Sequence, residues 1–151
     1  MTTTTNEKNT ATIMHLSTFS QYFIPFGNYF FPILIWAFKR NKSEFVDFNG
    51  KQTLNFQLSM LLYSLILLLI AVPVLLYTIF KNISFTSFDQ GDFLIRDMST
   101  ANLSGIVIVA LIAGLLFCFL KVIEFFLVIY AAVKSSNGEL YNYPLTISFL
   151  K

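Results

Sequence analysis

Residues 54–80 read LNFQLSMLLYSLILLLIAVPVLLYTIF, with no charged side chain in the run and an almost purely aliphatic stretch from Leu58 to Ile70. At 1.5 Å per residue such a helix exceeds the ~30 Å of a bilayer's hydrocarbon core, so the segment reads as a transmembrane helix. Pro73 is expected to bend its far end. Upstream lies PILIWAFKRNKSEFVDFNGKQTLNFQ (Pro32–Gln57), which leaves one apolar segment, passes a basic turn with Lys39, Arg40, Lys42 and Lys51, and enters the next at Leu54. The fold follows from what flanks this turn.

Composition agrees. Of 151 residues, 56% are hydrophobic and 12% charged, with 18 Phe, whereas soluble domains are usually about 45–50% apolar and about 25% charged. Too little polar surface is present to cover a globule in water, so lipid is the expected solvent and partner. The formal charge of +2 is too small to point to nucleic acid. A lone cysteine, Cys118, excludes an internal disulfide, and a lone histidine, His15, excludes the usual multi-histidine metal sets. The N-terminus lacks a basic region followed by a short apolar stretch and cleavage site, so no removable signal peptide is expected.

The expected class is all-α: a single polytopic helical membrane domain over 13–151, preceded by a disordered Thr/Asn-rich stretch at 1–12. Apolar segments fall at about 15–38, 54–80 and 103–133, with a cytoplasmic loop at 39–53, an outer loop at 81–102 and a C-terminal tail at 134–151. The first segment spans 24 uncharged residues, about 36 Å of helix, but Pro25-Phe26-Gly27-Asn28 and Pro32 interrupt it. It forms either one kinked span or a re-entrant hairpin of two half-helices, giving three spans or four helical segments. Ser43 is a candidate N-cap, Asn49-Gly50 a possible interruption, and Asn137-Gly138 a helix stop. The Asn82 and Asn102 sequons are short, common patterns read as chance. Tyr141 and Tyr143 suit the headgroup level.

Basic residues set the orientation. Lys39, Arg40, Lys42, Lys51, Lys134 and Lys151 share one side, against Lys8, Lys81 and Arg96 with Glu7, Asp89, Asp92 and Asp97 on the other. The basic side is expected to be cytoplasmic, in a bacterial inner membrane. The side of the N-terminus depends on whether the first segment crosses.

No G-x-S-x-G, phosphate loop, H-E-x-x-H or C-x-x-C occurs, so no catalytic residue, metal site or cofactor is expected. Candidate polar residues lie instead in the apolar helices. Lys121 and Glu124, three apart, share a helix face and can pair, and ionisable groups at membrane depth are functional candidates. The alternative is that Lys121 snorkels while Glu124 already lies beyond the hydrocarbon. Gln52, Asn55, Ser59 and Tyr63 align on one face of the second helix. With antiparallel helices, the two polar stripes are expected to meet, Asn55 reaching Lys121 or Glu124. Ala110, Gly114 and Cys118 form a small-residue seam suited to helix packing. His15 reads as an interfacial anchor, and Asp89 with Asp92 make a poor cation site.

Short motifs recur in order: His15-Leu16-Ser17, Pro32-Ile33-Leu34-Ile35-Trp36, Phe45-Val46-Asp47, Asn55-Phe56-Gln57 and Gly138-Glu139-x-Tyr141-x-Tyr143-Pro144-Leu145. In this set the chain resembles the Tic-twenty-like family, small bacterial membrane proteins grouped with a plastid inner-envelope import component. The resemblance implies a compact inner-membrane bundle and transfers no catalytic or ligand residue. The expected function is an assembly or partner-binding subunit, homo-oligomeric or bound to another membrane protein. The competing reading is an oligomeric channel or translocation component lined by Asn55, Ser59, Lys121 and Glu124.

Overall fold

Thr4 and Glu7 cap each other at the start of the chain: the Glu7 N–H donates to Thr4 Oγ1 at 3.3 Å and the Thr4 N–H to Glu7 Oε2 at 2.7 Å. This capping box satisfies two otherwise orphan donors and starts helix α1, Thr5–Leu16. The stretch expected to be disordered at 1–12 is therefore helical from Thr5. The structure, a computed structural model, describes residues 3–82 and 100–151. After α1 come a 3₁₀ helix, Ser17–Tyr22; α2, Gly27–Lys39; a single 3₁₀ turn, Arg40–Lys42; α3, Glu44–Asn82; and α4, Thr100–Asn137. No strand occurs among the described residues.

The chain divides into two compact units. One comprises Met1–Leu62 with Lys121–Lys151, the other Tyr63–Leu120. In the second, the described parts of α3 and α4 are apolar and open, with Leu65, Leu69, Leu111 and Leu115 exposed. Two stretches are long and apolar enough to cross a membrane, Glu44–Thr78 and Val107–Asn137, and only 11% and 6% of their most apolar windows are buried. A soluble protein's core helix would be mostly buried, whereas these two are open as well as long and apolar.

The first apolar segment is not a third such helix. The interruption expected near 25–28 is real: residues 23–26 form a turn, Phe26 takes a left-handed conformation (φ 62°), and α2 restarts at Gly27. Its 13 residues make about 20 Å, short of a ~30 Å core. The turn closes on itself through Ile24 N–H to the Ser20 carbonyl (2.9 Å) and Gly27 N–H to the Ile24 carbonyl (3.0 Å). Gly27 is needed there, because a Cβ would lie 2.9 Å from backbone atoms of Ser20.

This hairpin runs beside the start of α3 and the end of α4. On one side Asn28 meets Gln57 and Trp36 meets Asp47, so α2 is antiparallel to α3. On the other, Thr12 meets Ala132 and Gln21 meets Glu124, so α1 with its 3₁₀ extension is antiparallel to α4.

The expected loop at 39–53 shrinks to the turn at 40–43, because Ser43 caps α3 as foreseen (Val46 N–H to Ser43 Oγ, 3.4 Å). The helix then runs through Asn49-Gly50. Asn49 returns its amide to the Phe45 carbonyl at 2.8 Å, and Gly50 lets the Trp36 ring lie against the helix backbone. Trp36 Nε1 donates to Asp47 at 2.8 Å, Asp47 pairs with Lys51 at 2.7 Å, and Arg40 stacks 5.0 Å over the indole. Pro73 lies inside α3 without ending it.

α4 stops at Gly138 (φ 82°). The Gly138 and Glu139 N–H groups donate to the Ser135 and Lys134 carbonyls, both at 3.0 Å, the paired bonds of a Schellman stop. Most of the expected outer loop at 81–102, with Asp89 and Asp92, lies outside the described residues. The Ala110–Gly114–Cys118 seam is not packed: nothing among the described residues lies within 4 Å of a Cβ on Gly114, and Cys118 is exposed.

These glycines separate packing from propensity. Gly27→Ala and Gly50→Ala are each expected to destabilise the protein by about 1–3 kcal/mol, since backbone or a held indole must move. Gly114→Ala should be neutral or stabilising by up to ~1 kcal/mol. Thermal unfolding in mild detergent, followed by circular dichroism, distinguishes the three.

Candidate functional site: the polar interior of the first unit

A membrane helix ordinarily hides few polar groups, yet the first unit buries ten polar or charged residues: His15, Thr18, Asn28, Asn49, Thr53, Asn55, Gln57, Ser59, Glu124 and Ser135. Thr18 returns its hydroxyl to the His15 carbonyl at 2.8 Å; the other nine belong to three sets, and the first half of α3 organises two of these. Asn49, Thr53 and Gln57, four apart, look toward the N-terminal hairpin. Gln52, Asn55 and Ser59 look toward the C-terminal tail.

In the first set Asn49 Oδ1 lies 3.0 Å from His15 Nε2 and accepts from Ser135 Oγ at 2.8 Å. Because the Asn49 amide nitrogen is committed to Phe45, Nε2 must carry the imidazole proton. His15 Nδ1 is then the acceptor, facing the hydroxyls of Thr53 (2.8 Å) and Tyr143 (2.9 Å). Thr53 also lies 2.8 Å from the Asn49 carbonyl, to which it can donate instead. Tyr143 is buried, stacked on Phe56 with ring centroids 4.1 Å apart. His15 is thus a buried junction between α1, α3 and the tail, not an interfacial anchor, and Tyr143 is a core residue, not a headgroup contact. Burial pushes the imidazole down from 6.5 to about 4, outweighing the Asn49 hydrogen bond, and pushes the Tyr143 hydroxyl well above its ordinary value. Deeper along α3, Gln57 Oε1 accepts from Asn28 Nδ2 at 2.7 Å and its carbonyl from Tyr29 at 3.2 Å. Gln57 Nε2 finds no acceptor among the described residues.

The second set holds the tail. Asn55 Oδ1 accepts from the Phe149 and Leu150 N–H groups at 3.1 and 2.8 Å, while its Nδ2 donates to the Leu150 carbonyl at 3.0 Å. Ser59 Oγ accepts from the Ile147 N–H at 2.8 Å, and Gln52 donates to Asn142 at 2.9 Å. The tail descends beside α3, turns at Pro144-Leu145 (φ 60° at Leu145) and returns. One asparagine amide serves the extended return arm much as a neighbouring strand would.

The third set is Lys121, Glu124 and Gln21. Lys121 pairs with Glu124 at 2.8 Å, and Gln21 donates to the other carboxylate oxygen at 3.0 Å. Glu124 is 2% exposed and Lys121 34%. The carboxylate is therefore inside the protein.

Of the residues singled out by sequence, Lys121 and Glu124 are brought together. Gln52, Asn55 and Ser59 are brought together separately, and the expected bond from Asn55 to Lys121 or Glu124 is absent: its amide is committed to the tail. No common lining of Asn55, Ser59, Lys121 and Glu124 is formed. Sequence reasoning missed Asn49, Thr53, Gln57, Asn28, Gln21 and Tyr143. The four-residue spacing of Asn49, Thr53 and Gln57 was the available signal. Among the described residues no group of three His, Cys, Asp or Glu could hold a metal ion.

Two predictions follow from this geometry. Unfolded His15 titrates near 6.5 and folded His15 near 4, so below 6.5 the unfolded chain binds the extra proton. Stability is full above 6.5 and falls as pH drops toward 4, by up to about 3 kcal/mol; thermal unfolding against pH should show this slope, and His15→Gln should flatten it. Asn55→Ala strands three backbone groups, for a loss of about 1–3 kcal/mol and faster chymotrypsin cleavage at Phe149, with Asn55→Asp intermediate because it keeps the acceptor.

A family model described as the magnetosome magnetite crystal formation protein family (MamF/MmsF) matches residues 6–150. No curated protein and no solved structure matches the chain. The family match overturns the resemblance to the Tic-twenty-like proteins. The motifs behind that resemblance are packing residues here, such as His15, Trp36, Asn55 and Tyr143, and packing needs of this kind do not discriminate one small membrane bundle from another. Matched over nearly its whole length, the chain belongs to the magnetosome magnetite crystal formation protein family.

Proposed function

We propose that the protein is a membrane-embedded, non-enzymatic assembly subunit that takes part in forming magnetite crystals at the magnetosome membrane. The observation that carries this reading is the distribution of polarity. The buried polar groups of the first unit face one another, while α3 and α4 present open apolar flanks. Such a surface suits lipid and the helices of a membrane partner, either a second copy or another protein.

On this reading α3 and α4 cross the bilayer, and the N-terminal hairpin enters and leaves on one side. The N-terminus, the turn at 40–43 and the tail then share a face carrying Lys8, Lys39, Arg40, Lys42, Lys51, Lys134 and Lys151. The α3–α4 connection has Lys81 and Arg96 beside Asp89, Asp92 and Asp97. The basic face is cytoplasmic by the positive-inside rule. Counting the N-terminus on that face strengthens the charge asymmetry.

The test is genetic and biochemical. In a magnetite-forming cell, loss of the protein should change crystal size or number by electron microscopy. Wild type should restore it and Asn55→Ala/Ser59→Ala should restore it less. Native mass spectrometry from gently solubilised membranes should show a discrete homo-oligomer or a complex with another membrane protein. Unchanged crystals in the deletion would sink the role in crystal formation, and a bare monomer would sink the assembly role.

A further inference from the structure

The apolar hairpin of the first unit has a feature that membrane anchoring does not require. Its turn carries some of the most exposed large side chains in the unit: Phe23 at 88% and Phe26 at 73%, with Tyr22 and Ile24 beside them. The contacts fix how deep this turn sits. Asn28 meets Gln57, six residues beyond Lys51 on α3, and Gln21 meets Glu124, ten residues before Lys134 on α4. At 1.5 Å per residue these offsets are about 9 and about 15 Å, roughly one leaflet of a ~30 Å hydrocarbon core. At the other end of α2, Lys39, Arg40 and Lys42 are grouped beside Trp36, whose indole Arg40 covers. That is the charge and the aromatic type that phosphate headgroups attract. The turn's N–H groups at Phe23, Ile24 and Gly27 are bonded within the hairpin, as backbone in hydrocarbon must be.

We infer that the hairpin of α1 and α2 is a wedge in a single phospholipid leaflet, with Tyr22–Phe26 among the acyl chains and Lys39–Lys42 at the headgroups, so that the protein favours membrane convex on that face. The physical reason is area. A segment that enters and leaves the same leaflet adds cross-section to that leaflet and none to the other. The resulting mismatch is relieved where the loaded leaflet is stretched by curvature. The tail hairpin adds to the same leaflet, because Ile147 at its return meets Ser59, eight residues beyond Lys51 and about 12 Å deeper. Leu145, Ile147 and Phe149 on that arm are exposed as well. The occupant of the exposed turn is lipid; a second copy covering it is an outcome of the test.

The inference rests on the membrane-spanning reading above and fails separately from it. The fluorescently labelled protein is reconstituted into phosphatidylethanolamine–phosphatidylglycerol vesicles of mixed diameter. Copies are sorted by whether external trypsin reaches Lys39–Lys42, and density per membrane area is measured vesicle by vesicle. Copies with the hairpin in the outer leaflet should be several-fold denser on the smallest vesicles than on the largest, and inward copies should show the opposite trend. Phe23→Ser/Ile24→Ser, at exposed positions, should cut both trends at least twofold, leaving the tail's smaller share, with thermal unfolding unchanged. If that variant unfolds, a spin label at residue 23 replaces it, with accessibility to lipid-soluble oxygen expected to be high and to aqueous relaxant low. Density independent of diameter, trends cut less than twofold in the folded variant, a water-accessible label, or cross-linking between copies through residue 23 would each overturn the wedge. Extraction of the wild type by alkaline carbonate would instead overturn the membrane-spanning reading.

Discussion

The first half of α3 has to satisfy polar groups on two sides at once, and the rest of the first unit is shaped by that requirement. In an apolar surrounding an unpaired amide or hydroxyl costs several kcal/mol, and of the two rows' buried side-chain groups all but Gln57 Nε2 find a partner among the described residues. The row Asn49, Thr53, Gln57 finds His15, Asn28 and Tyr29 in the N-terminal hairpin. The row Gln52, Asn55, Ser59 finds the tail. Neither the hairpin nor the tail crosses as a long helix, and each is held by side-chain hydrogen bonds that a purely aliphatic helix could not supply.

Close backbone approach makes these contacts possible. Gly27 lets the 3₁₀ helix at Ser17–Tyr22 and the start of α2 touch, and Gly50 admits the Trp36 indole. With Trp36 seated, Asp47, Lys51 and Arg40 gather around it at the start of α3. On the α4 side, the pairing of Lys121 with Glu124 and the bond from Gln21 keep a carboxylate inside the protein without leaving its charge unanswered. The same unit encloses these polar residues beside an apolar core that includes Met14, Phe45, Phe56 and Val128, and leaves large apolar side chains such as Phe23 and Phe38 outside. This suits the proposed surroundings of lipid and membrane helices.

The all-helical class, the two long apolar helices, the break near Pro25–Asn28, the cap at Ser43 and the stop at Asn137-Gly138 were all legible in residue order. So were the pair Lys121–Glu124 and the alignment of Gln52, Asn55 and Ser59. What those aligned residues touch was not. Spacing along one helix tells which side chains share a face, but that face can meet a helix, a hairpin or an extended tail, and here it met the tail. For 15–38, long and uncharged, one kinked span and a hairpin of two half-helices were both open; Phe26 in a left-handed conformation and the contact of Gly27 with Ser20 make it a hairpin. His15 and Tyr143 looked interfacial because each sits at the edge of an apolar run, yet at a separation of 128 positions in the chain they lie 2.9 Å apart.

By itself the sequence determined the all-helical class of this protein, the existence of its long apolar helices and the asymmetry of its charge, because each depends on composition over a local window. Only the tertiary structure decided that the first apolar segment folds back, that the tail returns along α3, and which partners the buried polar residues meet. The fold-back is closed by the local turn at 23–26, but the other two outcomes depend on hydrogen bonds between residues far apart in the chain. Which buried donor finds which buried acceptor is a property of the packed interior and not of any window of sequence.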